Sequence, residues 1–149
     1  MRVILQRVDF ASVSVAKKVK SQINYGLLIF LGIEKGDSHE DISWLTNKIL
    51  SLRIFSNDKN CMDRSVLDVS GEIMVISQFT LHAKTKKGNR PSYIRAANAE
   101  IAKEFYEFFI QNLKSSNLNI QSGVFGADMK IELINNGPVT IFIDSKKRE

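Results

Sequence analysis

The chain opens on a strand-like pattern. Val3-Ile4-Leu5 come first, and Val13 and Val15 then alternate with Ser12, Ser14 and Ala16, which is the period of a strand. Between Ile23 and Ile33 the pattern changes to a continuous apolar run, Leu27-Leu28-Ile29-Phe30-Leu31, closed by Gly32. A strand covered on both faces reads this way. Asp37-Ser38-His39-Glu40 then offers a helix start, with Asp37 as cap and Glu40 three residues on. Ile42, Leu45, Ile49 and Leu52 follow at helical spacing. A turn is expected around Asn57-Asp58-Lys59-Asn60 and a second buried strand from Ile73 to Leu81. Ala99 to Leu113 reads as a second helix, with Ile101, Phe105, Phe108 and Phe109 on its apolar side. Met129, Ile131 and Leu133 alternate with polar residues, and Val139, Ile141 and Ile143 give the last strand. Strands outnumber helices, so the expected class is α+β: a mostly antiparallel sheet covered by two helices, in one domain spanning 1–149.

Composition narrows the function classes. Hydrophobic residues make up 44% of the chain and charged residues 25%, the balance of a soluble globular protein. One cysteine, Cys61, rules out an internal disulfide and fits a reducing compartment. The first residues lack the apolar run of a signal peptide, and no stretch is long enough to span a bilayer, so a cytoplasmic protein is expected. A formal charge of +5 favours polyanionic partners.

The common catalytic signatures fail. His39-Glu40 opens like a zinc protease motif, but Ser43 stands where the second histidine belongs. With only His39 and His82 present, a histidine-rich metal site is excluded. Gly71 and Gly88 do not form a phosphate loop. Ser77 and His82 lie on opposite faces of one expected strand, so they make no nucleophile–base pair, and His82 reads as a residue at a strand end. Two features remain. Ser77-Gln78-Phe79-Thr80 places polar groups at the end of an apolar run, where they either meet a ligand or emerge into solvent. Asn136-Gly137 is a strong hairpin signal, but Pro138 would open the returning strand without a donor, and Gly137-Pro138 is the kind of bond in which a cis peptide is cheap. A cis bond there would turn main-chain carbonyls outward as a rigid probe.

At these residues the chain resembles the D-aminoacyl-tRNA deacylases. Ser77-Gln78-Phe79-Thr80-Leu81 and Asn136-Gly137-Pro138-Val139-Thr140 are similar to the two signature motifs of that family. Gln6-Arg7-Val8, Leu31-Gly32-Ile33, Lys87-Gly88-Asn89-Arg90-Pro91-Ser92-Tyr93 and Gly123-Val124-Phe125-Gly126-Ala127-Asp128-Met129 follow its pattern too, and the similarity runs from residue 1 to about 144. Asn136 departs from it, standing where the family often has aspartate.

The resemblance implies a barrel-like homodimer that hydrolyses the ester of D-aminoacyl-tRNA, and of glycyl-tRNA mischarged on tRNA-Ala, with no metal or organic cofactor. It implies that Gly137 and Pro138, in cis, enter the partner's pocket, hold the substrate amino group and leave no room for an L side chain. Ser77, Gln78, Phe79 and Thr80 would form the catalytic edge, with main-chain N–H groups near Phe79 and Thr80 stabilising the oxyanion. Either Thr80 or the ribose hydroxyl of the RNA would assist. Phe125 and Met129 would line the adenosine pocket, and the basic run Lys84, Lys86, Lys87, Arg90 and Arg95 would contact tRNA phosphates. The alternatives are an editing deacylase of the same fold acting on another mischarged tRNA, a non-catalytic RNA-binding module, and a structural dimer with no RNA role.

Overall fold

The computed structural model describes residues 1–59 and 61–148. Both runs near the N-terminus belong to one long strand, β1 (Arg2–Val15), which turns back into β2 (Lys18–Ile23) and continues into β3 (Gly26–Gly32). One edge of β1 carries β3 along its first half and β2 along its second, both antiparallel. The other edge carries β8 (Met129–Asp144) along its whole length. On the far side of β3 lie β6 (Glu72–Ser77) and then β7 (Ile120–Ser122), both in parallel pairs, and β7 is a strand the sequence pattern did not reveal. The sheet is therefore mixed, with antiparallel pairs in the majority. It curls until the Ser21 hydroxyl on β2 donates to the Ser122 carbonyl on β7 at 2.8 Å, which nearly closes a barrel.

Two apolar clusters explain the continuous run in β3. Leu27, Ile29 and Leu31 face a core shared with Val3, Leu5, Ile73 and Val75, covered by the helices α1 (His39–Ser51) and α2 (Ala99–Lys114). Leu28 faces the barrel interior with Val8, Val13, Met74 and Ile76. Helix α1 starts one residue later than expected. Ser38 is its cap, and the Asp41 carboxylate reaches back to the Ser38 N–H at 2.8 Å. Asp37 instead accepts from the Glu34 N–H at 2.8 Å and from the buried α-amino group of Met1 at 2.6 Å. In α2 the buried side chains are Tyr106, Phe109, Ile110 and Leu113, whereas Ile101 and Phe108 are exposed. Of the expected apolar side, Phe109 is buried and Phe105 packs against the core, and only Ile101 and Phe108 turn outward.

Across the expected turn after Asn57, β4 (Phe55–Ser56) pairs with β5 (Met62–Arg64), although Asn60 lies outside the described residues. Two expectations are corrected. The strand from Ile73 ends at Ser77, and Phe79–His82 form a 3-10 turn. No hairpin forms at Asn136-Gly137, because both flanks pair with β1 in one direction. Gln6 faces Thr140 and Val8 faces Asn135, so residues 136–139 bulge opposite the single residue Arg7, with Val139 turned into the core.

Candidate active site

The end of β6 opens into a cleft of about 620 Å³. Ser77, Gln78 and Phe79 line one side, and Phe125, Met129 and Ile131 line another. Tyr93, Ala96, Ala97 and Ala102 complete the wall. The fold thus brings together two groups that lie far apart in the chain, Ser77 to Phe79 and Phe125 with Met129. It does so by running β6 next to β7, whose continuation, residues 123–128, returns over the cleft into β8.

The backbone after Ser77 is held firmly. The Gln78 N–H donates to the Leu31 carbonyl at 2.8 Å, and the chain then winds into the 3-10 turn. The N–H groups of Phe79 and Thr80 open that turn, where the helical pattern supplies no acceptor. The Gln78 side-chain amide donates to the Thr80 hydroxyl. Thr80 itself does not line the cleft. Phe79 is exposed and meets Tyr93 edge-to-face, with ring centroids 5.0 Å apart, at the mouth.

His82 is not at a solvent-facing strand end. It closes the 3-10 turn with its side chain fully buried, and neither ring nitrogen has a hydrogen-bond partner among the described residues. Burial pushes its imidazole below the ordinary value of 6.5, so the ring is neutral at physiological pH. It does not line the cleft and makes no dyad with Ser77. The titratable side chains in the lining are those of Tyr93 and Asp128, and Asp128 is exposed and pairs with Lys130 at 3.1 Å. The rest of the lining is uncharged.

The Gly137–Pro138 peptide bond is cis. The pair is exposed and does not line the cleft of its own chain. One carbonyl expected to face outward is in fact engaged: the buried guanidinium of Arg7 donates to the Gly137 carbonyl at 3.2 Å, to Asn136 Oδ1 at 2.9 Å and to the Ile54 carbonyl. A buried cation seeks acceptors, and the bulge supplies two. Asn136 also donates to Asp9 at 2.6 Å. Arg7 was missed as a site residue, though an arginine in an alternating apolar strand was the available signal. Tyr106 was missed as well. Its ring packs on Phe125 and its hydroxyl donates to the Val75 carbonyl at 2.7 Å, and burial pushes its phenol up to about 12.

Lys84, Lys86, Lys87 and Arg90 are exposed on a loop whose neck is closed by paired main-chain bonds between Lys84 and Ser92, at 2.8 and 3.1 Å. Arg95 departs from this surface: its guanidinium is held by the Glu34 carboxylate.

Comparison with known proteins agrees with the geometry. The family pattern described as D-Tyr-tRNA(Tyr) deacylase matches residues 4–144. A Flavobacterium johnsoniae protein named D-aminoacyl-tRNA deacylase is 56% identical over 150 residues, covering 100% of both chains. One of the same name from Azobacteroides pseudotrichonymphae is 57% identical with the same coverage. Among solved structures, one titled c-Myc DNA Unwinding Element Binding Protein superposes with a TM-score of 0.91 at 37% identity, covering 97% of this chain and 98% of that one. A structure titled as a probable eukaryotic D-amino acid tRNA deacylase shares the fold, with a TM-score of 0.81 at 16% identity and coverage of 95% and 97%. The match over 4–144 includes every residue of the cleft and of the bulge at 136–138, and the chain belongs to the D-Tyr-tRNA(Tyr) deacylase family.

Proposed function

We propose that this chain hydrolyses the ester between a D-amino acid and the terminal adenosine of tRNA, acting as a homodimer in which each subunit completes its neighbour's site. The observation that carries the reading is one shared cleft with Ser77, Gln78 and Phe79 on one side and Phe125 and Met129 on the other. The adenosine would lie against Phe125 and Met129. The ester carbonyl would then sit at the start of the 3-10 turn, where the N–H groups of Phe79 and Thr80 receive the oxyanion. The substrate ester is already activated. With no histidine in the cleft lining and Thr80 outside it, the proton transfer is assigned to the vicinal ribose hydroxyl. Ser77 serves as a supporting hydrogen-bond partner.

Gly137 and Pro138 lie outside their own cleft, and a second copy gives them a place to act. There they would hold the amino group and exclude an L side chain by clash. Glycine has no side chain to exclude, so glycyl-tRNA would pass the same filter. Two features support a second copy. The outer edge of β8 carries no partner strand among the described residues, and Ile134 and Phe142 on β8 are 57% and 56% exposed. Lys84, Lys86, Lys87 and Arg90 would contact phosphates of the acceptor end.

The test is incubation of the purified protein with D-tyrosyl-tRNA. Release of free D-tyrosine with multiple turnovers is expected. Tight binding of the tRNA with no release would instead favour a binding module, a reading that the 37% identical structure named for a DNA element keeps in view.

A further inference from the structure

We propose that Glu34 is a positioning residue for the deacylation reaction, clamping the return stalk of the basic loop to the end of β3, beside the catalytic turn. This rests on the deacylase reading above. The loop leaves the 3-10 turn at His82 and comes back at Arg95. Its return stalk does two things at once. It supplies Tyr93, Ala96 and Ala97 to the cleft wall, and it docks on residues 33–35. The Lys35 N–H donates to the Arg95 carbonyl at 3.0 Å, and the Ala97 N–H donates to the Ile33 carbonyl at 3.1 Å.

Glu34 locks this docking through its side chain. Its carboxylate is 9% exposed and accepts from Arg95 Nε at 3.0 Å and from a terminal guanidinium nitrogen at 2.5 Å. A carboxylate so far from water needs such partners. On its other side stands the buried His82 ring, with Nδ1 3.7 Å away, a neutral wall that shields the carboxylate, while the Arg95 side chain keeps one face in water. Two residues earlier, Gly32 abuts the turn itself: a Cβ there would lie 2.9 Å from the Gln78 carbonyl oxygen. Residues 32–34 thus support the turn that presents the oxyanion donors and the stalk that presents the cations. The edge-to-face pair of Phe79 and Tyr93 joins the same two parts at the cleft mouth. A loop released from this clamp must be ordered when tRNA binds, at a cost in affinity.

The test uses Glu34→Gln, Arg95→Met and the double variant, with steady-state kinetics on D-tyrosyl-tRNA and amide hydrogen exchange read on every chain. Each single change is expected to raise KM about fivefold, with kcat falling in Glu34→Gln, and the double variant is expected to be no worse than the poorer single one, since both remove one interaction. Exchange in the 84–92 loop should speed up in all three. If Arg95 were instead a phosphate contact restrained by Glu34, Glu34→Gln would free it and lower KM, and that result overturns the clamp. Additive losses overturn it as well. Should Glu34→Gln fail to fold, Arg95→Met decides alone, because unchanged loop exchange in that variant contradicts the proposal. An inactive wild-type protein would count against the deacylase reading, while the exchange data would still judge the clamp.

Discussion

Gly137 occupies a position where its own chain leaves room for a side chain. A Cβ placed there meets nothing closer than Asn135 Oδ1 at 4.0 Å. Gly137→Ala is therefore expected to fold and associate normally, with an unchanged melting temperature. If the residue faces substrate across a subunit boundary, the same methyl group should cost activity heavily, by about 10²-fold in kcat/KM for D-tyrosyl-tRNA, the scale of a misplaced reacting group. Undiminished turnover in a folded variant would remove Gly137 from the site. His82 gives a prediction of a different kind. Its folded-state pKa is depressed below 6.5, so the unfolded chain binds a proton that the folded chain refuses. Stability from this group is full above pH 6.5 and is lost as pH falls below it. His82→Leu keeps the buried volume and removes two unpartnered nitrogens, so denaturant titrations should show equal or greater stability at pH 7 and a shallower decline towards pH 5. A decline as steep as that of the wild type would assign the acid sensitivity elsewhere.

Elements were legible where a single period governed them. Helix α1, the doubly covered strand β3 and the extent of α2 follow from apolar spacing alone. The strand ending at Ser77 did not, because the apolar run continues through Phe79 and Leu81 while the backbone tightens into a 3-10 turn. Periodicity cannot separate the two over four residues. The bulge at 136–139 was hidden for another reason: Asn-Gly favours a hairpin locally, but β1 is long enough to pair with both flanks, and that tertiary pairing decided the outcome. Ser77, Gln78, Phe79, Phe125 and Met129, singled out through a resemblance, line one cleft, and Thr80, singled out with them, does not, whereas Arg7 and Glu34 make contacts across 47 and 61 positions that no local pattern encodes. At this scale the basic loop supplies its own test. Lys86→Ala and Arg90→Ala change exposed residues and should leave stability intact. Each should weaken tRNA binding and reduce the log–log salt slope by roughly one. Unchanged slopes in both would make the loop a solvated surface.

For the whole molecule, the separation of Gly137–Pro138 from the cleft of its own chain makes association and activity one question. Sedimentation is expected to give a dimer, and dilution below the dimer's dissociation range should abolish turnover. A fully active monomer would contradict the shared site. The fold does not choose a substrate by itself, because one fold can carry several unrelated sites. What distinguishes the present reading is handedness at an ester. The decisive measurement is the rate of amino acid release from D-tyrosyl-tRNA and L-tyrosyl-tRNA, side by side, at matched enzyme concentration. Fast release from the D substrate with release from the L substrate near the uncatalysed rate is the expected result. Equal release from both, or release from neither, would contradict it.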